Sequence, residues 1–161
     1  MKEIEVNDLI KYINPFKTSY CDCLWWKWNQ CSDNRLGWMW CFMEKATVYV
    51  HKTRYSKHIF DQAKYYSICF MDQEYKNQLG YFGRVSSRDE NKMEKCGTTV
   101  NNQDVAPYFE ESSVVILCKV MGKSDFDSKS VDENVYEWYQ KEGVHSQYYG
   151  EIVKVLVKKY K

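Results

Sequence analysis

Four stretches of the chain concentrate or alternate apolar and β-branched residues in the manner of buried strands. They are residues 46–51 (ATVYVH), 65–70 (YYSICF), 113–121 (SVVILCKVM) and 149–158 (YGEIVKVLVK). In the last, Val153, Val155 and Val157 alternate with Lys154 and Lys158, which predicts one face in a core and one in water. Between the strands lie shorter helical patterns. Ser56 is placed to cap a helix through about Lys64, Asp72 one through about Leu79, and Ser87 one that covers RDENKMEKC and stops at Gly97. Residues 98–107 and 122–134 are polar and turn-forming and read as surface loops. The pattern predicts a mainly β, α+β fold in which short helices decorate a sheet or barrel.

Composition narrows the picture. With 161 residues, 44% hydrophobic and 28% charged, the chain fits a single domain over residues 1–161, without internal repeats or low-complexity tracts. The net charge of +1, from 23 basic and 22 acidic residues, supplies no global field toward nucleic acid or an anionic membrane. Lys154, Lys158, Lys159 and Lys161 read as a solvated edge that discourages strand pairing rather than as a nucleic-acid patch. The first residues, MKEIEVNDLIKYINPF, lack the basic segment and apolar run of a signal peptide, and no window approaches the roughly 18 apolar residues of a membrane helix. A cytoplasmic protein is expected.

The seven cysteines are odd in number and, without an export signal, are expected as reduced thiols. Cys69 and Cys118 sit in apolar strand patterns and read as core. Cys21, Cys23, Cys31 and Cys41, with Asp22 and Asp33 beside them, raise the question of a thiolate metal site. Zinc sites pair their cysteines as C-x(2–4)-C, so a C-x-C followed by scattered cysteines is a poor match, and buried thiols are the simpler reading. The three histidines show no H-E-x-x-H or paired spacing. No metal is expected.

Two clusters carry the candidate chemistry. The ATVYVH strand runs into Thr53-Arg54-Tyr55-Ser56, and further along comes Gly83-x-x-Ser86-Ser87-Arg88-Asp89-x-x-Lys92. Each puts cations beside hydroxyl and backbone donors just past a strand or at a helix start, where a phosphate is readily held. The plain alternatives are an Arg54 paired with a surface carboxylate while Ser56 caps its helix, and an Asp89 paired with Lys92 one turn on. There is no G-x-S-x-G elbow, P-loop or G-x-G-x-x-G, nor a cysteine with a histidine partner at a recognisable spacing, so catalytic residues are unassigned and cofactor chemistry is favoured.

Taken in order, NPF, ATVYV-x-x-x-RYS, YYSICF, G-x-x-S-x-RD-x-x-K, YFEE-x-x-x-V-x-x-C and H-x-x-Y-x-GEIVKVLVK resemble the flavin reductase-like family of FMN-binding split β-barrels. The resemblance covers nearly the whole chain, and its specificity lies in the joint order of motifs. It implies a six-stranded antiparallel split barrel with short peripheral helices, a homodimer, and FMN near the subunit interface.

Carried over residue by residue, the resemblance places the FMN phosphate on Arg54, Tyr55 and Ser56, where the family usually has threonine at the last position. The second cluster, Ser86, Arg88, Asp89 and Lys92, matches the family's S-G-R-D-x-D-K, with Ser87 for the usual glycine and Asn91 for the second aspartate. Lys92 is expected at the phosphate or at the electron-rich side of the ring, and His145 and Tyr148 near the isoalloxazine. Relatives usually carry N-T-M-T-x-x-W-G-x-x-G-x-x-W before the VYV strand. Here the region reads CDCLWWKWNQCSDNRLGWMWCFMEK, in which Asn29 and Ser32 are the matching polar pair and five of the six tryptophans crowd together.

The resemblance therefore implies an FMN-binding oxidoreductase. Electrons would pass from NAD(P)H or a protein reductant through bound FMN to a flavin, ferric or protein acceptor. The alternative is a non-catalytic split-barrel flavin-binding or scaffold protein whose tryptophan-rich segment has closed the ring pocket. The compact phosphate cluster, with no recognisable adenine-binding motif, favours FMN over FAD.

Overall fold

The computed structural model describes residues 1–12, 21–25, 31–33, 45–127, 129 and 131–159, with backbone placement alone at 10, 11, 21–25, 31–33 and 142. The strands are β1 (Lys2–Ile4), β2 (Cys21–Trp25), β3 (Cys31–Asp33), β4 (Lys45–His51), β5 (Tyr65–Phe70), β6 (Val100–Asn101), β7 (Tyr108–Phe109), β8 (Val114–Asp125) and β9 (His145–Val157). The α-helices are α1 (Ser56–Phe60), α2 (Lys76–Arg84), α3 (Lys92–Cys96) and α4 (Glu133–Glu142).

Among the described residues all pairings are antiparallel. The main sheet runs β1-β9-β8-β5-β2-β3, with β4 also on β9, and β6 and β7 form a separate hairpin. Among the described residues the main sheet thus has seven strands rather than the six expected. Strand β9 organises it. One edge pairs along its length with β8, while the other takes β4 along residues 145–151 and β1 along 155–157.

The sheet is covered on both faces, which explains the unbroken apolar runs of β5 and β8. One face holds the barrel interior: Val48 and Val50 from β4, Tyr66, Ile68 and Phe70 from β5, Ile116 and Cys118 from β8, and Tyr148, Ile152 and Val155 from β9. The other face packs Cys69, Val115 and Leu117 under Leu79 and Phe82 of α2, Met93 of α3 and Phe109 of β7. Helix α1 closes the interior with Ile59 and Phe60; the Phe60 ring lies 5.4 Å from Tyr66 and 4.3 Å from Tyr148.

Several elements differ from the sequence expectations. Helix α1 stops at Phe60, and the expected 72–79 helix becomes a 3-10 turn, Gln73–Tyr75, followed by α2. The expected helix from Ser87 starts only at Lys92, because residues 87–89 form a turn; it ends, as expected, at Gly97, whose φ of +63° suits a residue without Cβ. The 98–107 loop contains β6, and the 122–134 loop is the outer end of β8 leading toward α4, which Asp132 caps by accepting from the Asn134 N–H at 3.0 Å.

Gly150 marks a close approach. A Cβ there would lie 2.7 Å from the Tyr66 Oη and 2.9 Å from the Lys119 carbonyl, because the Tyr66 ring crosses Gly150 to donate to the Ala46 carbonyl at 2.8 Å. Gly150→Ala is expected to cost about 1–3 kcal/mol in a urea unfolding experiment. Gly80→Ala, which meets nothing within 4 Å on exposed α2, is expected to stabilise by about 1 kcal/mol. Equal effects from the two would show that the crossing ring yields.

Candidate functional site

The two cation clusters meet at the C-terminal end of α2. Arg54 lies in the turn after β4, exposed, and its Nη1 donates to the Gly83 carbonyl at 3.2 Å. Lys92, the first residue of α3, is buried, and its Nζ donates to the Phe82 carbonyl at 2.6 Å. The last carbonyls of a helix lack intrahelical partners and sit at the negative end of its dipole, so two cations from other segments settle there. The Arg88 guanidinium stacks 4.6 Å above the Tyr55 ring, a second link between the clusters. The segment between is folded locally: Arg88 N–H donates to Ser86 Oγ at 3.2 Å, and Asp89 N–H to the Ser86 carbonyl at 3.1 Å.

Among the described residues no carboxylate pairs with Arg54 or Arg88, and Asp89 pairs with no cation. Glu90, next in the chain, is engaged instead by Lys95 and by the Tyr81 hydroxyl, and those two hydrogen bonds hold its carboxyl below the usual range. Arg84 adds a third exposed guanidinium; its Nε donates to the Gly80 carbonyl at 3.1 Å. Arg54 has no carboxylate partner among the described residues, and Ser56 is the buried first residue of α1 rather than its cap. With only five residues, α1 adds little dipole, so an anion here relies on the guanidinium forks.

His145 and Tyr148 do not join this group, and the reason is strand geometry. Both lie within β9 rather than ahead of it, and residues three apart on a strand point to opposite faces. Tyr148 points into the barrel, 1% exposed, with its hydroxyl donating to Asp61 at 2.7 Å. It offers no surface to a ring in this arrangement. Asp61 also receives Lys57 at 2.5 Å and Lys123 at 2.9 Å; burial pushes its carboxyl up, but these hydrogen bonds outweigh that and hold it at about 2. His145 faces the other way, edge-on to His51 at 4.9 Å and against Trp138 and Tyr139 of α4.

Asn29 lies outside the described residues, as do Trp26, Trp28, Trp38 and Trp40. Ser32 is placed by backbone alone on β3, which neighbours α2, the helix whose end gathers the cations. By backbone register, Cys23 pairs with Ser32 and Ile68, and Cys31 with Leu24, while Cys41 lies outside the described residues. Lys154 is paired with Asp104 at 2.9 Å, which removes one lysine from the basic edge.

Residues 44–161 match the flavin reductase like domain. The chain belongs to that family. No curated protein sequence matches it. Among solved structures, the flavin reductase-like chain is similar to flavoredoxin from Methanosarcina acetivorans, with 16% identity, 99% of this chain and 77% of that one covered, and a TM-score of 0.68. It is also similar to a putative flavin reductase with a split barrel domain from Shewanella frigidimarina (16% identity, 88% and 68% covered, TM-score 0.68). A third is the FMN-binding domain of a flavin reductases-like enzyme from Shewanella baltica (14%, 96% and 75%, TM-score 0.66). At these identities the likeness establishes the fold, a mainly β split barrel with short helices. The family match starts just after the tryptophan-rich segment, the part of the sequence that departs most from the family motif. No described helix is long and apolar enough to cross a membrane.

Proposed function

We propose that this flavin reductase-like protein binds FMN by its phosphate at Arg54 and Arg88 and acts as an oxidoreductase. One observation carries the reading: two exposed guanidinia from separate segments, Arg54 on the Gly83 carbonyl and Arg88 over the ring of the adjacent Tyr55, have no carboxylate partner among the described residues. That donor set fits a phosphomonoester, which takes planar guanidinium forks in bidentate fashion. Tyr55 holds the Arg88 plane, the Gly83 carbonyl orients Arg54, and the Ser86 hydroxyl shapes the turn between them. Ser56 and Lys92 stand beside them as further donors, and Lys92 serves this site through the Phe82 carbonyl it holds.

Bound FMN would supply the electron transfer, so the chain needs no acid-base dyad of its own. The donor would be NAD(P)H or a redox protein and the acceptor a flavin, ferric iron or a protein. A homodimer and a cytoplasmic location complete the reading. Purified protein incubated with FMN and passed through gel filtration is expected to stay yellow and to bleach with a nicotinamide donor. Yellow protein that no donor bleaches would favour a non-catalytic flavin-binding role, and colourless protein would overturn the FMN site.

A further inference from the structure

The turn that presents Arg54 is closed around a histidine. His51 ends β4, and its Nδ1 accepts from the Thr53 backbone N–H at 3.3 Å, with the Thr53 Oγ1 2.7 Å away. A backbone N–H only donates, so Nδ1 is the bare nitrogen and the ring proton sits on Nε2. The Thr53 hydroxyl then donates to the same nitrogen. The chain continues from this knot into the site: Arg54 N–H donates to the His51 carbonyl at 3.0 Å, and Lys57 N–H to the Arg54 carbonyl at 3.0 Å.

We infer that His51 is a proton-operated latch on the anion-binding turn. Protonation at Nδ1 replaces an acceptor with a donor aimed at two donors, which opens the turn and withdraws Arg54, Tyr55 and Ser56 from the phosphate position. The inference rests on the FMN reading of that site. Regulation would run in one direction: the latch is closed while Nδ1 is bare and opens when that nitrogen gains a proton.

The surroundings of His51 suit this role. His145 of β9 stands edge-on at 4.9 Å, and burial, then His51 itself, push the His145 imidazole below its ordinary value. Trp138 and Tyr139 of α4 cover His145 on its far side. Gly143 lies beside the His51 ring, where a Cβ would meet Cε1 at 3.4 Å, in ordinary contact. The charged neighbours are Arg54 in the turn itself and Lys52, which is tied to Asp125 of β8 at 3.2 Å, while Asp125 also accepts from Ser146 of β9 at 2.6 Å. Among the described residues no carboxylate bonds His51, so nothing there rewards the protonated ring.

The test compares the wild type with His51→Asn, whose side-chain oxygen keeps an acceptor near the Nδ1 position but does not titrate. FMN dissociation constants are measured by flavin fluorescence at pH 7.5 and 5.5. The FMN phosphate loses charge near pH 6 in both proteins, so the difference between them isolates the latch. The wild type is expected to lose about tenfold more affinity than the variant over that interval. In flavin-free wild-type protein, the Thr53 amide resonance is expected to move with the His51 ring nitrogens as pH falls. Equal losses in the two proteins, or a Thr53 amide that ignores the His51 titration, would overturn the latch and leave the FMN site standing. Absence of FMN binding at either pH would sink the site instead, and the amide titration would then decide the latch alone.

Discussion

Arg54→Ala is expected to raise the Kd for FMN by roughly ten- to a hundredfold while leaving the weaker binding of riboflavin, which has no phosphate, unchanged. The magnitude follows from hydrogen bonds to a charged group, worth about 1.5–3 kcal/mol. Within the protein the substitution removes the 3.2 Å hydrogen bond to the Gly83 carbonyl, at an exposed helix end where water takes the place of the guanidinium. Thermal stability should therefore stay within a few degrees of the wild type. Arg54→Lys keeps the charge but not the planar fork, and an intermediate Kd is expected. Flavin fluorescence titration decides the matter: if FMN and riboflavin lose affinity equally, Arg54 does not hold the phosphate.

Phe60→Ala is expected to be the most damaging core substitution, costing about 3–5 kcal/mol against the roughly 5–15 kcal/mol that a domain of this kind has in total. Phe60 is 1% exposed and packs on Tyr66 and Tyr148 inside the barrel. It is also the last residue of α1, whose first residue, Ser56, belongs to the proposed anion site. A loose α1 should weaken FMN binding together with stability, whereas Phe60→Leu should recover much of both. Denaturant unfolding monitored by circular dichroism checks the first effect; a loss under about 1 kcal/mol would mean that the barrel interior collapses around the missing ring.

The parts of the fold legible in the sequence are those whose residues are buried for reasons local to it. Strands β5 and β8 are covered on both faces, so YYSICF and VVILC stand out as apolar runs. Helix α4 leaves no such mark: apart from a half-buried Tyr139 its described positions are exposed, and Val135, Tyr136 and Trp138 remain on the surface. The outer end of β8 is hidden for the same reason, since Lys123, Ser124 and Asp125 are held by backbone pairing to β9 rather than by burial.

The site divides in a similar way. Arg54 and Lys92 are visible as members of clusters because their neighbours are diagnostic, but their meeting point is a pair of backbone carbonyls, Gly83 and Phe82, and a carbonyl has no signature in sequence. The opposed orientations of His145 and Tyr148 depend on β9 starting at His145 rather than four residues later. His51 looks in the sequence like an ordinary strand-end residue; the signal present is the threonine two positions on, able to return a hydroxyl and an N–H to the ring.

The placement of β9 has a consequence for how the chain folds. Among the described residues, strands β1 and β4 pair in the sheet with β9 alone, and Lys2 pairs with Val157 across nearly the full length of the sequence. Contacts that distant close slowly, because the intervening chain loses its freedom before the pairing stabilises it. On a ribosome, β1 and β4 must wait until residues 145–157 have emerged. Until then β1 and β4 lack the pairing that β9 gives them, so this protein should be more prone to aggregation during synthesis than after it.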